Sequence, residues 1–291
     1  MLAVNALVPT RGFFTLAQNS GDTDYVRMAY ALALSLHTSQ HTVKNLSIGV
    51  TPGTIVPETY AWAFDKIIEI PWGDHAANST WKLENEWKSI HMSPYDETIK
   101  LDADMLFFND IGRWWDSLCA DDFAICNQVL TYRTEVITDD YYRKTFTANN
   151  LPNVYTAFMY FKKTDRCFDI FSLAKLIYFN WETFFEHFLL PEQRPTYPST
   201  DLIFALAIKI LELDTTFYIP SSMPTFTHMK TKLQGWQHVN DEEWLGKLPV
   251  FFTPDLQCRL GNHLQFFPLH YHSKKFITDN MLDYYERRIR N

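Results

Sequence analysis

Over the first hundred residues, apolar runs of strand length alternate with longer stretches that carry a helical period. Residues 12–17 (Gly-Phe-Phe-Thr-Leu-Ala) read as a buried first strand, and the polar cluster 18–22 as the turn behind it. A helix is expected over 24–37, with Val26, Ala29, Tyr30, Ala33 and Leu36 on one face and Asp22 or Thr23 as its cap. Residues 43–50 predict a second strand, broken by Thr51-Pro52-Gly53. A short helix over 57–64, a third strand over 66–70 and a helix over 81–91 follow. Ser93-Pro94-Tyr95-Asp96 stops that helix and leads into an apolar strand over 98–108. Strand and helix in alternation predict an α/β fold with a mostly parallel, helix-covered sheet, in which ligands bind at the carboxyl ends of the strands.

The second half is less regular. Residues 123–128 and 154–161 read as strands, with a polar, Tyr- and Arg-rich loop or lid over 131–150 between them. Helices are expected over 168–188 and 200–211, the second capped by Thr200, and a strand over 213–219. From residue 220 the chain predicts loops and short strands, then a terminal helix over 279–290. With no internal repeat or linker, residues 1–291 are expected to form a single domain.

Composition narrows the function classes. At 291 residues, 46% hydrophobic and only 9 glycines, the chain can bury a substantial core. A net charge of -8 and a pI near 5.7 leave no global basic field for nucleic acid or an anionic membrane. Lys274-Lys275 and Arg287-Arg288-Ile289-Arg290 are the local exceptions, the second read as cations complementing a helix C-terminus. Cys119, Cys126, Cys167 and Cys258 lack C-x-x-C spacing, which argues against a zinc–thiolate site and for buried thiols in a reducing compartment. No basic flank precedes the short apolar run at the N-terminus, and no stretch reaches membrane-span length. A soluble, cytoplasmic protein without a membrane partner is expected; nothing marks its oligomeric state.

Candidate chemistry concentrates in Leu101-Asp102-Ala103-Asp104-Met105. Side chains two apart in an extended chain project to the same side, so Asp102 and Asp104 should point together at one spot. Like charges that close repel, and a cation is expected between or in front of them. Three readings are open: a solvated turn after a strand; a phosphoryl-transfer pair of nucleophile and acid–base; and a hard divalent ion bridging to the phosphates of a nucleotide sugar.

Several blocks decide among them by similarity. They are Phe13-Phe14-Thr15-Leu16-Ala17; Tyr25-Val26 through Ala33-Leu34-Ser35-Leu36; Val50-Thr51-Pro52; Phe64-Asp65-Lys66-Ile67-Ile68-Glu69-Ile70; and Trp87-Lys88 with Ser93-Pro94-Tyr95-Asp96 leading into Leu101-Asp102-Ala103-Asp104. In this order, over about residues 12–118, the chain resembles GT-A-fold glycosyltransferases, most of all the glycogenin/galactinol-synthase type of family 8. The resemblance implies a Rossmann-like GT-A domain, with residues 12–118 binding a nucleotide-sugar donor and 119–291 the acceptor. It implies a UDP-sugar, Mn²⁺ or Mg²⁺, and a hexosyl or pentosyl transfer that retains anomeric configuration.

Its site residues carry over one by one. Ala17, Asn19 and Tyr25 would approach the nucleoside, Lys88 and Ala103 the donor, and Asp102 and Asp104 the metal. The family's third ligand is a histidine in His-x-x-Gly-x-x-Lys-Pro, met here by His270 with Ser273 in place of Gly, or alternatively by His272; His228 is a further candidate. Lys274 or Lys275 would neutralise the diphosphate. Asn153, Tyr155 and Thr156 stand where the family has Asn-Ser-Gly, and Asp201, followed by Leu202 rather than Gln, is the remaining active-site carboxylate.

A haloacid-dehalogenase-like phosphatase is the first alternative. It wants Thr or Val where Leu106 stands, its motif on the first strand, and a downstream Gly-Asp-x-x-x-Asp that is missing. A non-catalytic nucleotide-sugar-binding protein is the second. The acceptor stays open among a glycan, a protein, a small polyol and a modified base in DNA, the last suggested by the basic and aromatic residues of 131–144.

Overall fold

The computed structural model describes residues 9–77, 79, 83–138, 143–213 and 225–290. Its centre is a six-stranded sheet of β1 (Arg11–Leu16), β2 (Leu46–Val50), β3 (Ile67–Glu69), β4 (Glu97–Leu101), β6 (Phe123–Cys126) and β8 (Tyr155–Lys162) in the order β3-β2-β1-β4-β8-β6. The first four run parallel, and β8 runs antiparallel to both β4 and β6. This is the mixed, mainly parallel α/β domain expected from the pattern.

Period-two alternation sends successive side chains of a strand into two different cores. Phe158 and Tyr160 of β8 pack with Leu32, Leu36 and Trp115, while Met159 and Phe161 pack with Phe171 and Phe204. The helix Tyr25–Ser39 supplies the first layer; Asp165–Phe179 and Thr200–Ile210 supply the second. Among the described residues no helix is long and apolar enough to cross a membrane.

A second sheet of four short strands stands against this frame: β5 (Met105–Leu106), β7 (Val129–Leu130), β9 (Phe226–His228) and β13 (Leu269–His270), in the order β5-β13-β9-β7. A third, antiparallel, joins β10 (Val250–Phe252), β11 (Cys258–Leu260) and β12 (His263–Leu264).

The expectations needing correction are local. The strand over 98–108 is two strands: β4 ends at Leu101, and a turn at Asp102–Asp104 hands the chain to β5 in the other sheet. The first helix is capped by Asp24, whose carboxylate accepts from the Arg27 N–H, not by Asp22 or Thr23. The later helix is capped by Ser199, not Thr200. The helix over 57–64 shrinks to Glu58–Ala61, and that over 81–91 to a 3₁₀ turn at Glu86–Lys88 running into Ser89–Met92. The helix over 168–188 is divided at Asn180. Most of the strand expected over 213–219 lies outside the described residues, as do 81–82 and 139–142.

One glycine fixes where β4 enters the sheet. A Cβ on Gly12 would stand 2.3–2.6 Å from the Tyr95 ring, whose hydroxyl is shared with Ser47 Oγ (2.8 Å) and donates to Asp65 (2.9 Å). Gly12→Ala is therefore expected to cost about 1–3 kcal/mol by overpacking, read as a lower denaturant midpoint with an unchanged m value.

Candidate active site

Strand register assembles the site. On β13, His270 pairs with Met105 of β5 on one side and with His228 of β9 on the other. Because β5 begins one residue after Asp104, this pairing draws His270 onto the turn that carries both carboxylates. The Tyr271 N–H donates to the Asp104 carbonyl (3.1 Å) and locks the approach. The two aspartates do point together: His270 Nε2 lies 3.0 Å from Asp104 Oδ1 and 3.7 Å from Asp102 Oδ2. The three residues offer ligand atoms within 4.8 Å of one another. The Nδ1 of His270 is buried without a hydrogen-bond partner.

Cations do sit where the repulsion required them. Lys100 Nζ donates to Asp102 (2.9 Å) and pairs with Glu86 (2.8 Å), and Lys274 Nζ donates to Asp104 (3.0 Å). Burial pushes the Asp104 carboxyl up, but Lys274 and His270 outweigh it and hold it well below the usual range. Burial likewise disfavours charge on Lys274, and Asp104 more than restores it. Glu86 moves the other way: burial raises its carboxyl, with Asp102 adding to the rise against Lys100.

These groups open into a cavity of about 790 Å³, within the range of small-molecule sites. Tyr25, Asp102, Ala103, Asp104, Tyr155, Asp201, His270, His272 and Lys274 all line it. The Tyr25 ring lies 4.9 Å from the Lys274 ammonium, and burial raises its hydroxyl pKa.

Asp201 reaches the cavity already engaged. One oxygen accepts from the Thr156 N–H (2.9 Å) and hydroxyl (2.7 Å), the other from Arg143 (2.8 Å). Burial raises its carboxyl, while Arg143 and Thr156 together bring it below the ordinary value.

Other expected residues fall outside the cavity lining. Ala17 is fully buried, and Asn19 accepts from the Val26 N–H (3.1 Å). Lys88 is buried and donates to the carbonyls of Pro71 and Gly73, clamping a turn. Lys275 is exposed, and Asn153 is half-buried with its side-chain oxygen unpaired.

The sequence reading missed Glu86, Gln18 and Glu242, all of which line the cavity. Gln18 belongs to a network in which it donates to Asp74 (3.0 Å) and accepts from Asn85 (3.0 Å). Glu242 accepts from the Lys274 backbone N–H (2.6 Å). No spacing signal marks these residues, because each stands in a polar run that looks solvated until the fold encloses it.

No family model matches the chain, and no curated protein matches it. Among solved structures it is similar to the galactosyltransferase LgtC in complex with donor and acceptor sugar analogs, at 13% identity and a TM-score of 0.46, covering 67% of this chain and 70% of that one. It is likewise similar to an active-site mutant of LgtC, at 13% identity and a TM-score of 0.45, covering 67% and 69%.

Proposed function

We propose that this chain moves a glycosyl group from a nucleoside-diphosphate sugar, a UDP-sugar first, to a hydroxyl acceptor. The observation that carries the reading is the convergence of Asp102, Asp104, His270 and Lys274 at one point in the large cavity. Two carboxylates and one imidazole form a donor set suited to Mn²⁺ and, with more water, to Mg²⁺. A cation held there supplies countercharge to a departing diphosphate.

The chain's own groups do the rest. Lys274 is kept charged by Asp104 and is close enough to the turn to share itself with a phosphate oxygen. The Tyr25 ring helps hold the lysine's ammonium in place. Tyr155 and Thr156, from the half formed by residues 119–291, line the cavity wall where we place the acceptor. Asp201, with both oxygens committed, acts as a positioning residue for Thr156. Retention of anomeric configuration follows the family resemblance. A phosphatase would need an aspartate free to attack; Asp104 is held by two partners and Asp102 by Lys100.

The deciding measurement is thermal unfolding with UDP, ADP or GDP, with and without Mn²⁺. UDP at about a hundred times its dissociation constant should stabilise by about 2.7 kcal/mol, and only with the cation. Identical curves with and without Mn²⁺, or no nucleotide effect at all, would overturn the proposal. Within the same assay Lys274→Ala should weaken UDP binding about tenfold, the scale of one charge-assisted hydrogen bond. Lys275→Ala, exposed and outside the cavity lining, should leave it unchanged.

A further inference from the structure

A second cluster of metal-ligating groups adjoins the carboxylates: it shares His270 with them, and its other two members, His228 and His272, have no part in the proposed transfer. His228, His270 and His272 offer ring nitrogens within 4.8 Å of one another. Their rings stack: His270 on His272 at 3.9 Å between centroids, and His228 on His270 at 5.0 Å. His272 Nε2 lies 3.0 Å from His228 Nδ1, so a single proton must sit between two ring nitrogens. All three line the large cavity.

The arrangement is built rather than incidental. Parallel pairing of β9 with β13 sets His228 beside His270. His272 turns out of the strand at a φ of 58°, a left-handed conformation that costs a non-glycine residue about 1–2 kcal/mol. His270 is 95% buried by its 5% exposure, yet its Nδ1 has no hydrogen-bond partner.

We propose that His228, His270 and His272 form a second divalent-cation site, selective for a nitrogen-preferring transition ion of the Zn²⁺ or Co²⁺ class. Three imidazoles disfavour Mg²⁺, which takes oxygen ligands, and favour borderline ions. Three protein ligands also leave a fourth position for water or an incoming oxygen from the cavity. The two ligand sets share His270, so the histidine site is a neighbour of the carboxylate site. It does not depend on the transferase reading.

The test is a Co²⁺ titration of the full chain after chelator dialysis, followed by visible absorption, with Zn²⁺ as competitor. The wild type should develop the intense bands of low-coordinate Co²⁺ and lose them to Zn²⁺ but not to excess Mg²⁺. H228Q with H272Q should weaken Co²⁺ binding by at least about a hundredfold, more than loss of an orienting group costs. D102N with D104N should keep the bands. Circular dichroism establishes that both variants are folded, and the single variant H272Q, whose parent residue is half-buried, serves if the double variant is not. Absence of bands in the wild type overturns the proposal, as does unchanged binding in folded H228Q/H272Q or H272Q. If UDP fails to bind with Mn²⁺ while the histidine-dependent bands persist, the transferase proposal falls alone.

Discussion

Asp104→Asn is expected to remove cation-dependent UDP binding and to lower transfer by at least about a hundredfold, the scale of losing one preorganised electrostatic partner. The asparagine keeps the side-chain shape and a carbonyl for the Lys274 ammonium. It loses the charge that Lys274 and His270 both face at 3.0 Å. Calorimetric titration of UDP with Mn²⁺ checks the first effect, a donor-consumption assay the second, and circular dichroism the fold. A folded Asp104→Asn chain with normal turnover would remove the carboxylates from the reaction. Asp102→Asn should be milder for stability, because Lys100 keeps Glu86 as its partner.

The other large effect is on stability. Asp201→Ala should cost about 3–5 kcal/mol, because it removes the carboxylate paired with the buried Arg143 and unties two donors of Thr156 at once. The loss should appear in chemical denaturation whether or not substrate is present. Its pH dependence has a definite sign. The folded-state carboxyl lies below its ordinary value of 3.8, so the stabilisation is complete above that value and fades as pH falls through the lowered one. Wild type and Asp201→Ala should therefore converge in stability under acid and separate near neutrality. A gap that is constant from neutrality to acid would assign the cost to packing alone.

What could be read from the chain was whatever repeats with a short period. The Phe13-Phe14 strand, the helix beginning at Tyr25 and the β8 run are legible because burial imposes an alternation that survives in one dimension. Asp102 and Asp104 stood out by extended-chain spacing beside an apolar run, but in the fold it is a turn after β4 that carries them. The break between them and β4 was not legible, since Met105-Leu106 continues the apolar pattern while pairing in a different sheet. His270 came from resemblance, but its pairing with His228, 42 residues earlier, depends on register between two short strands and leaves no local trace. Lys88 too came from the resemblance, as a donor contact; in the fold its ammonium donates to the backbone carbonyls of Pro71 and Gly73. Arg143 and Glu86 became visible only when distant segments closed over them.

The turn at Asp102–Asp104 is also a seam. On one side of it the chain is woven into the six-stranded sheet; on the other it belongs to the small sheet that holds His228 and His270. His270 and Lys274 reach back across and stitch the small sheet to the large one through a single carboxylate. Loosening that stitch should free β13 before it frees β8. Amide exchange at Tyr271, whose N–H closes the seam, would then report on the grip of the site without any substrate present.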